Sequence, residues 1–254
     1  MSGIYKTRSL TIGVAVLLGG IVLGCADNEE SIYVRGVLAW PSSECVFKSD
    51  PESPMIMAGS WDVGLSNEYR ANLLIANQMV PRGSGTELKT ESSTFRAEWL
   101  DVGVERTNGT SLVSYSYPVT GLVDPAVGGV PGWGTVSGAL ANVDVKELLA
   151  GEILAAAGRG EDLLPKVVSV ARVWGRTLGG KEIRSAEFRF TVVACFGCLV
   201  VVPSSARDPE VPGPNCRNLE GYTAKDVCVF GQDGYVDCRY CDSIGLPNIC
   251  GLYD

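Results

Sequence analysis

The sequence predicts a mainly β fold: a β-sandwich with one short helix, closed by a disulfide-rich C-terminal tail. Three observations predict it. From residue 31 to 202, short apolar runs alternate with Gly, Pro, Asn and Asp turns, the pattern of strands joined by tight turns. Only one segment reads as a helix, and no strand–helix–strand rhythm recurs, which excludes a parallel α/β fold. Five of the nine cysteines fall in the last 39 residues, the composition of a scaffold with little core of its own.

The N-terminus precedes this body in three zones. Lys6 and Arg8 form a basic start, residues 10–24 are uncharged and mostly apolar, and the run stops at Cys25. As a helix those residues would reach about 22 Å, short of a hydrocarbon core of roughly 30 Å. This is the layout of a secretory signal. Val22-Leu23-Gly24-Cys25 resembles the lipobox of bacterial lipoprotein precursors, with mild departures at Val22 and Leu23. The resemblance covers residues 1–25 only. It implies that residues 1–24 are a signal peptide, that a diacylglycerol is added to the Cys25 sulfur, and that the new amino group is acylated. Two or three acyl chains, at about 0.8 kcal/mol per buried methylene, anchor stably where one does not. Ala26 stands where an inner-membrane lipoprotein would carry aspartate, which points to the outer membrane of a Gram-negative bacterium. Residues 25–30 then form a polar tether.

The sandwich domain is expected over residues 31–202. Residues 32–40 read as a first strand ended by Pro41, and residues 55–65 as a second. Residues 69–80 alternate: Tyr69, Ala71, Leu73, Ile75 and Met79 on one face, Arg70, Asn72 and Gln78 on the other. That predicts a half-buried antiparallel strand. Phe95, Ala97 and Trp99 are expected inward on the next strand, with Arg96 and Glu98 outward. Asn108-Gly109 predicts a hairpin turn into residues 112–123. Residues 133–140 follow. Residues 144–157 read as a helix ending at Gly158. Residues 167–174 and 181–193 flank Gly179-Gly180 as a hairpin, with Ala186, Phe188, Phe190 and Val192 inward. The strand spacing resembles immunoglobulin-like and fibronectin-like domains. A domain of this size buries about 70% of its unfolded surface without needing disulfides.

Residues 203–215 are a Pro-rich linker, and residues 216–254 a Cys-rich tail. With Cys25 assigned to lipid, eight cysteines remain for disulfides: Cys45, Cys195, Cys198, Cys216, Cys228, Cys238, Cys241 and Cys250. An even remainder fits an oxidising compartment. Three lie before residue 203 and five after it, so at least one bridge must join sandwich to tail if all eight pair. Cys195 and Cys198, on an extended strand, would stand about 10 Å apart at about 3.3 Å per residue, too far for a bridge. Each is therefore expected to pair elsewhere, Cys45 being one candidate, unless the chain kinks at Gly197. Neither Cys195-Phe-Gly-Cys198 nor Cys238-Arg-Tyr-Cys241 is followed by a helical pattern, as a thioredoxin-like site requires. Their long separation disfavours a zinc ribbon. Asp226, Asp233, Asp237 and Asp242 match no calcium-loop spacing and read as turn formers.

No histidine is present anywhere. This excludes Ser-His-Asp and Cys-His catalysis and His-ligated zinc, and no nucleophile-elbow or phosphate-loop motif occurs. No catalytic residue, metal or cofactor is expected. Without Lys6 and Arg8, 19 basic residues face 29 acidic ones, a net charge of −10. With no basic run, nucleic acid is excluded as a partner. Taken whole, the chain resembles the cysteine-rich envelope lipoproteins of Gram-negative bacteria. The resemblance carries no activity with it; the anchor, the sandwich and the absence of histidine and of catalytic motifs lead to the expectation of a lipid-anchored, non-catalytic interaction or structural module, with an envelope protein as its partner. The second expectation is a glycan or small-ligand binder whose Trp61, Trp133 and Trp174 stack on sugars, against their alternative use as core filling. A thiol-redox or metal-binding role ranks third.

Overall fold

A computed structural model describes residues 31–41, 45–84, 89–206, 216, 219, 222–223 and 228–240. Residues 1–30 with Cys25, most of the linker, and Cys241 and Cys250 lie outside the described residues. In chain order the elements are β1 (Ile32–Leu38), β2 (Met55–Ile56), β3 (Ala58–Asp62), β4 (Tyr69–Asn77), β5 (Phe95–Arg106) and β6 (Ser111–Val123). Then come β7 (Gly132–Ala141), α1 (Val143–Ala157), β8 (Lys166–Thr177), β9 (Glu182–Arg184), β10 (Phe188–Cys195), β11 (Val200–Val201) and β12 (Val236–Asp237). No helix of the described residues is long and apolar enough to cross a membrane.

The smaller sheet runs β2-β1-β4-β7. The larger runs β3-β10-β8-β5-β6, with β9 on β8, and β11 pairs with β12. Pairing is antiparallel except for β3 with β10 and β11 with β12. The chain is therefore mainly β, as its turn spacing predicts. Between the sheets lies one core. Leu73, Ile75, Val136 and Leu140 of the smaller sheet join Phe95, Leu100, Val102, Val173, Phe190 and Val192 of the larger. Each such side chain contributes about 1.5–3 kcal/mol on full burial. Where β6 passes β7, their backbones nearly touch: a Cβ on Gly134 would meet the Leu122 carbonyl at 2.7 Å.

Helix α1 adds Val145, Leu149 and Ile153 to this core. They fall four residues apart, a narrow stripe. Its N-cap is Asn142, whose side chain accepts the Val145 N–H at 3.2 Å, two residues ahead of the expected start at Asp144, which stands inside the first turn. An ion pair from Arg106 to Glu152 fastens the helix to β5.

Several sequence expectations are corrected. Residues 55–65 do not form one strand. The chain leaves the smaller sheet at Met57, 91% exposed, and enters the larger one as β3. β4 is not half-buried: Asn72, Leu74, Ala76 and Asn77 are buried as well. Tyr33 and Trp133 flank Ala76 on the neighbouring strands and meet edge-on, with centroids 6.3 Å apart. Asn77 donates to the carbonyls of Ser93 and Val123 at 3.0 Å each. Trp99 points outward, because a bulge between Ala97 and Trp99 shifts the alternation by one residue. Ala186 is exposed. The expected strand over residues 181–193 breaks at Ser185, whose hydroxyl takes the place of a ladder carbonyl and accepts the Val173 N–H at 3.0 Å.

Cys195 and Cys198 do pair with each other, with Cα atoms 5.9 Å apart. The expectation of separate partners assumed a continuous strand. β10 ends at Cys195, and Gly197 turns the chain at φ +73°, a conformation open to glycine. Cys45 bridges Cys228 across 183 positions and so joins sandwich to tail, while Cys216 bridges Cys238 within the tail. By loop entropy the first is worth about 5 kcal/mol and the second about 3 kcal/mol.

The tail also docks through main-chain and side-chain hydrogen bonds. Trp61 on β3 bridges Gln232. Asp62 donates its N–H to Gly231 at 2.9 Å, and the Asp233 N–H reaches Ser60 at 3.0 Å. Gln232 accepts the Arg70 N–H at 2.9 Å. Asp233 accepts the Ser60 N–H at 2.8 Å and the Tyr69 hydroxyl at 2.7 Å. Leu65, Leu199, Val200, Ala206, Cys216 and Cys238 form a second small core beneath it.

Burial holds the Asp233 carboxyl above the usual carboxylate range. The folded chain then holds a proton that the unfolded chain has already lost. Asp233 therefore adds stability as pH falls through that window, which opens just above the ordinary value near 4. Asp233→Asn keeps an acceptor for Ser60 and a polar partner for Tyr69 without the buried charge. It is expected to match or exceed the wild type at pH 7, while Asp233→Ala loses about 1–3 kcal/mol. Denaturant unfolding at pH 7 and pH 4.5 checks this: the wild type should gain on the Asn variant on acidification, and a relative loss would refute it.

Candidate functional site

The bulge that turns Trp99 outward also sets the phase of everything after it on β5. Leu100, Val102 and Val104 enter the core, and Trp99, Asp101, Gly103 and Glu105 face solvent, because successive side chains of a strand point to opposite faces. On β8 the same face carries Val170, Arg172 and Trp174, and on β6 it carries Ser114 and Ser116. A phase slip is visible in the sequence itself: Phe95 and Ala97 are two apart, but the next apolar series starts at Leu100 and continues at Val102 and Val104.

The resulting surface has an aromatic end and a polar end. Trp99 and Trp174 lie opposite each other in register, with ring planes 14° apart and centroids 6.1 Å apart. The Arg184 guanidinium sits 5.8 Å from the Trp174 ring centroid, within range of a cation–π contact. One step along the strands, Asp101 stands between Ser116 and Arg172. The Ser116 hydroxyl donates to Asp101 at 2.7 Å, and Arg172 pairs with Glu187 at 3.0 Å. The Arg172 Nε is buried and has no partner among the described residues. A further step along, Gly103 leaves an open floor: a Cβ there meets nothing within 4 Å. A cleft of about 420 Å³ covers this polar end, lined by Asp101, Gly103, Ser114, Ser116, Arg172 and Glu187 among others. Its size is that of a small-ligand site.

The charges here are largely matched. Arg96 pairs with Glu98, Arg172 with Glu187 and Arg189 with Glu105. The face therefore offers hydrogen bonds and ring surface rather than a strong field, which suits a neutral polyhydroxyl ligand better than an ion.

Of the three tryptophans expected to stack on sugars, only Trp174 stands on this face. Trp61 is fully buried in the core. Trp133 is half-buried against Tyr33 on the smaller sheet. Trp99, which the alternation placed inward, takes their place. Asp233 and Asp237 hold protein groups: Asp233 as described, and Asp237 as the partner of Arg239 at 2.7 Å. Asp226 and Asp242 lie outside the described residues.

One other cluster has chemistry-bearing atoms. An Asp62 oxygen and the sulfurs of Cys195 and Cys198 lie within 4.8 Å of one another. The sulfurs are bonded to each other, so neither is a thiolate ligand, and Asp62 is engaged by backbone amides. Its carboxylate accepts from Gly64 at 3.0 Å, Gly197 at 2.8 Å and Leu199 at 3.0 Å.

In comparisons with known proteins, no family model matches this chain, and no curated protein matches it in sequence.

Gly103→Phe is expected to fill the cleft without disturbing the sandwich, since the site is open and aromatic residues favour strands. A thermal melt should show stability within about 0.5 kcal/mol of wild type or higher. A loss of several kcal/mol would mean that the floor is packed rather than open.

Proposed function

We propose that this chain is a lipid-anchored cell-envelope protein that acts as a non-catalytic binding module, with the outer face of its larger sheet as the binding surface. Export and anchorage rest on the basic start, the short apolar run and the lipobox-like Val22-Leu23-Gly24-Cys25. The three disulfides among the described residues support an oxidising compartment. Ala26 favours the outer membrane. The total lack of histidine supports a binding role over hydrolysis.

The observation that carries the binding role is the pairing of stacked Trp99 and Trp174 with a polar cleft one step along the same strands. Rings supply apolar area to the flat face of a sugar, and Asp101, Ser116 and Arg172 supply acceptors and donors for its hydroxyls. The ligand class is therefore a neutral glycan. The broader reading, docking of an envelope protein, uses the same anchored presentation and draws on no separate patch.

Two experiments test these halves. Cells grown with labelled palmitate should mark the wild-type chain and not Cys25→Ser, and an unlabelled wild type would remove the anchor from the account. For the cleft, tryptophan fluorescence is titrated with a panel of neutral oligosaccharides. Trp174→Ala and Gly103→Phe should each weaken binding at least about tenfold, or about 1.4 kcal/mol. If no sugar perturbs the fluorescence, or both variants bind as wild type, the glycan reading fails.

A further inference from the structure

We propose that the Cys195–Cys198 disulfide is a thiol–disulfide exchange site, opened and closed by an external dithiol that attacks the Cys198 sulfur. The inference stands apart from the glycan cleft.

The two sulfurs are unequal. Cys195 is 3% exposed, at the buried end of β10, whereas Cys198 is exposed. An incoming thiolate therefore has one sulfur to reach, and exposed disulfides are the exchangeable ones. The bond spans only three positions, so it restrains little of the chain.

The loop does not need that bond to keep its shape. Asp62 grips it from inside, accepting the N–H of Gly197 and of Leu199 on its two carboxylate oxygens. On the near side, Val63 donates its N–H to Cys195 at 2.9 Å, and Ala194 donates to Pro165 at 2.9 Å. On the far side, Val236 donates to Leu199 at 2.8 Å. None of these bonds involves a sulfur atom, so cleavage of the sulfur–sulfur bond breaks none of them directly. The reduced cysteines would stay side by side, ready to close again. The Cys216–Cys238 pair differs in the first respect, because both its cysteines are buried, at 8% and 1% exposed; the Cys45–Cys228 pair also has an exposed cysteine, Cys45, but it differs in the second respect, because it closes a span of 183 positions.

The exchange balances as follows. An external thiol gives its proton to solvent, and its sulfur attacks Cys198 Sγ. A mixed disulfide forms there, and the Cys195–Cys198 bond breaks with its electron pair on Cys195 Sγ. Cys195 Sγ then takes up a proton from solvent, which balances the one the incoming thiol gave up. The second thiol of the partner then attacks its own sulfur in the mixed disulfide. Cys198 leaves, and the partner departs oxidised. One dithiol has become a disulfide, and one disulfide a dithiol. Run backwards, the same steps let reduced Cys198 pass electrons to a partner disulfide.

The test uses the full chain in detergent, equilibrated with dithiothreitol at graded reduced-to-oxidised ratios and then alkylated and mapped by mass spectrometry. Cys195 and Cys198 are expected to take label while Cys216 and Cys238 stay oxidised and the thermal melt is retained. Label on Cys195 and Cys198 only in step with Cys216 and Cys238, as the fold is lost, would overturn the proposal. A second measurement compares single-cysteine variants against a chromogenic aromatic disulfide. Cys195→Ser, which leaves Cys198 free, should react at least about tenfold faster than Cys198→Ser, which leaves only the buried Cys195. Equal rates would overturn the assignment of Cys198 as the sulfur attacked.

Discussion

The buried Asp62 carboxylate is the constraint on which the seam of this molecule depends. It closes β3, the edge strand of the larger sheet. Through its side chain it fixes the turn at Gly64 and the loop around Gly197. Through its own N–H it receives the tail at Gly231. A charge taken out of water is costly unless it is met by several donors, and three backbone amides meet this one. Those amides belong to segments more than a hundred residues apart in sequence, so satisfying one carboxylate positions β3, the end of β10 and the approach of the tail together. The fold is thereby tied at a point where the hydrophobic core alone would leave a loose edge.

The tail has little core of its own and borrows one. Leu65 and Leu199 come from the sandwich side of the seam, and Cys216 and Cys238 from the tail, yet they form one cluster. Gln232 and Asp233 continue the larger sheet past its edge by bonding to Trp61 and Ser60 of β3, and the Gln232 side chain reaches across to the Arg70 N–H on the smaller sheet. An unpaired sheet edge invites pairing with other chains. Here the chain's own tail covers it, so one device both stabilises the tail and protects the edge.

What the sequence made legible follows from the range of the forces involved. The hairpin at Asn108-Gly109 and the turn at Gly179-Gly180 were readable because a few neighbouring residues determine them, and Gly109 and Gly180 each sit at φ +85°. The helix was readable from its apolar residues and its stop. The failures share a different origin. Met57 as a crossing point, Trp99 as an outward residue and Ser185 as a break all depend on how one strand registers against another, and residues far off in sequence decide that. Cys195 and Cys198 failed for the same reason: the pairing depends on where β10 stops. Of the candidate site, Trp174 was named from sequence, while Asp101, Gly103 and Arg172 carried no local signal. Only the phase slip between Ala97 and Leu100 could have revealed that face.

The pairing of β3 with β10 has a consequence for how the chain comes to be. The two strands lie about 130 residues apart and pair in parallel, and Cys45 waits even longer for Cys228. A chain that emerges from its N-terminus exposes β3 and a free Cys45 well before either partner exists. Contacts of such separation form late, since loop closure must be met before they can reward it. In the interval Cys195, Cys198 and Cys216 all become available to Cys45 before Cys228 does. Any early, mistaken bond must be undone before the native pairing can form, so the yield of native protein would depend on the capacity of the surroundings to reshuffle disulfides as much as on the stability of the finished fold.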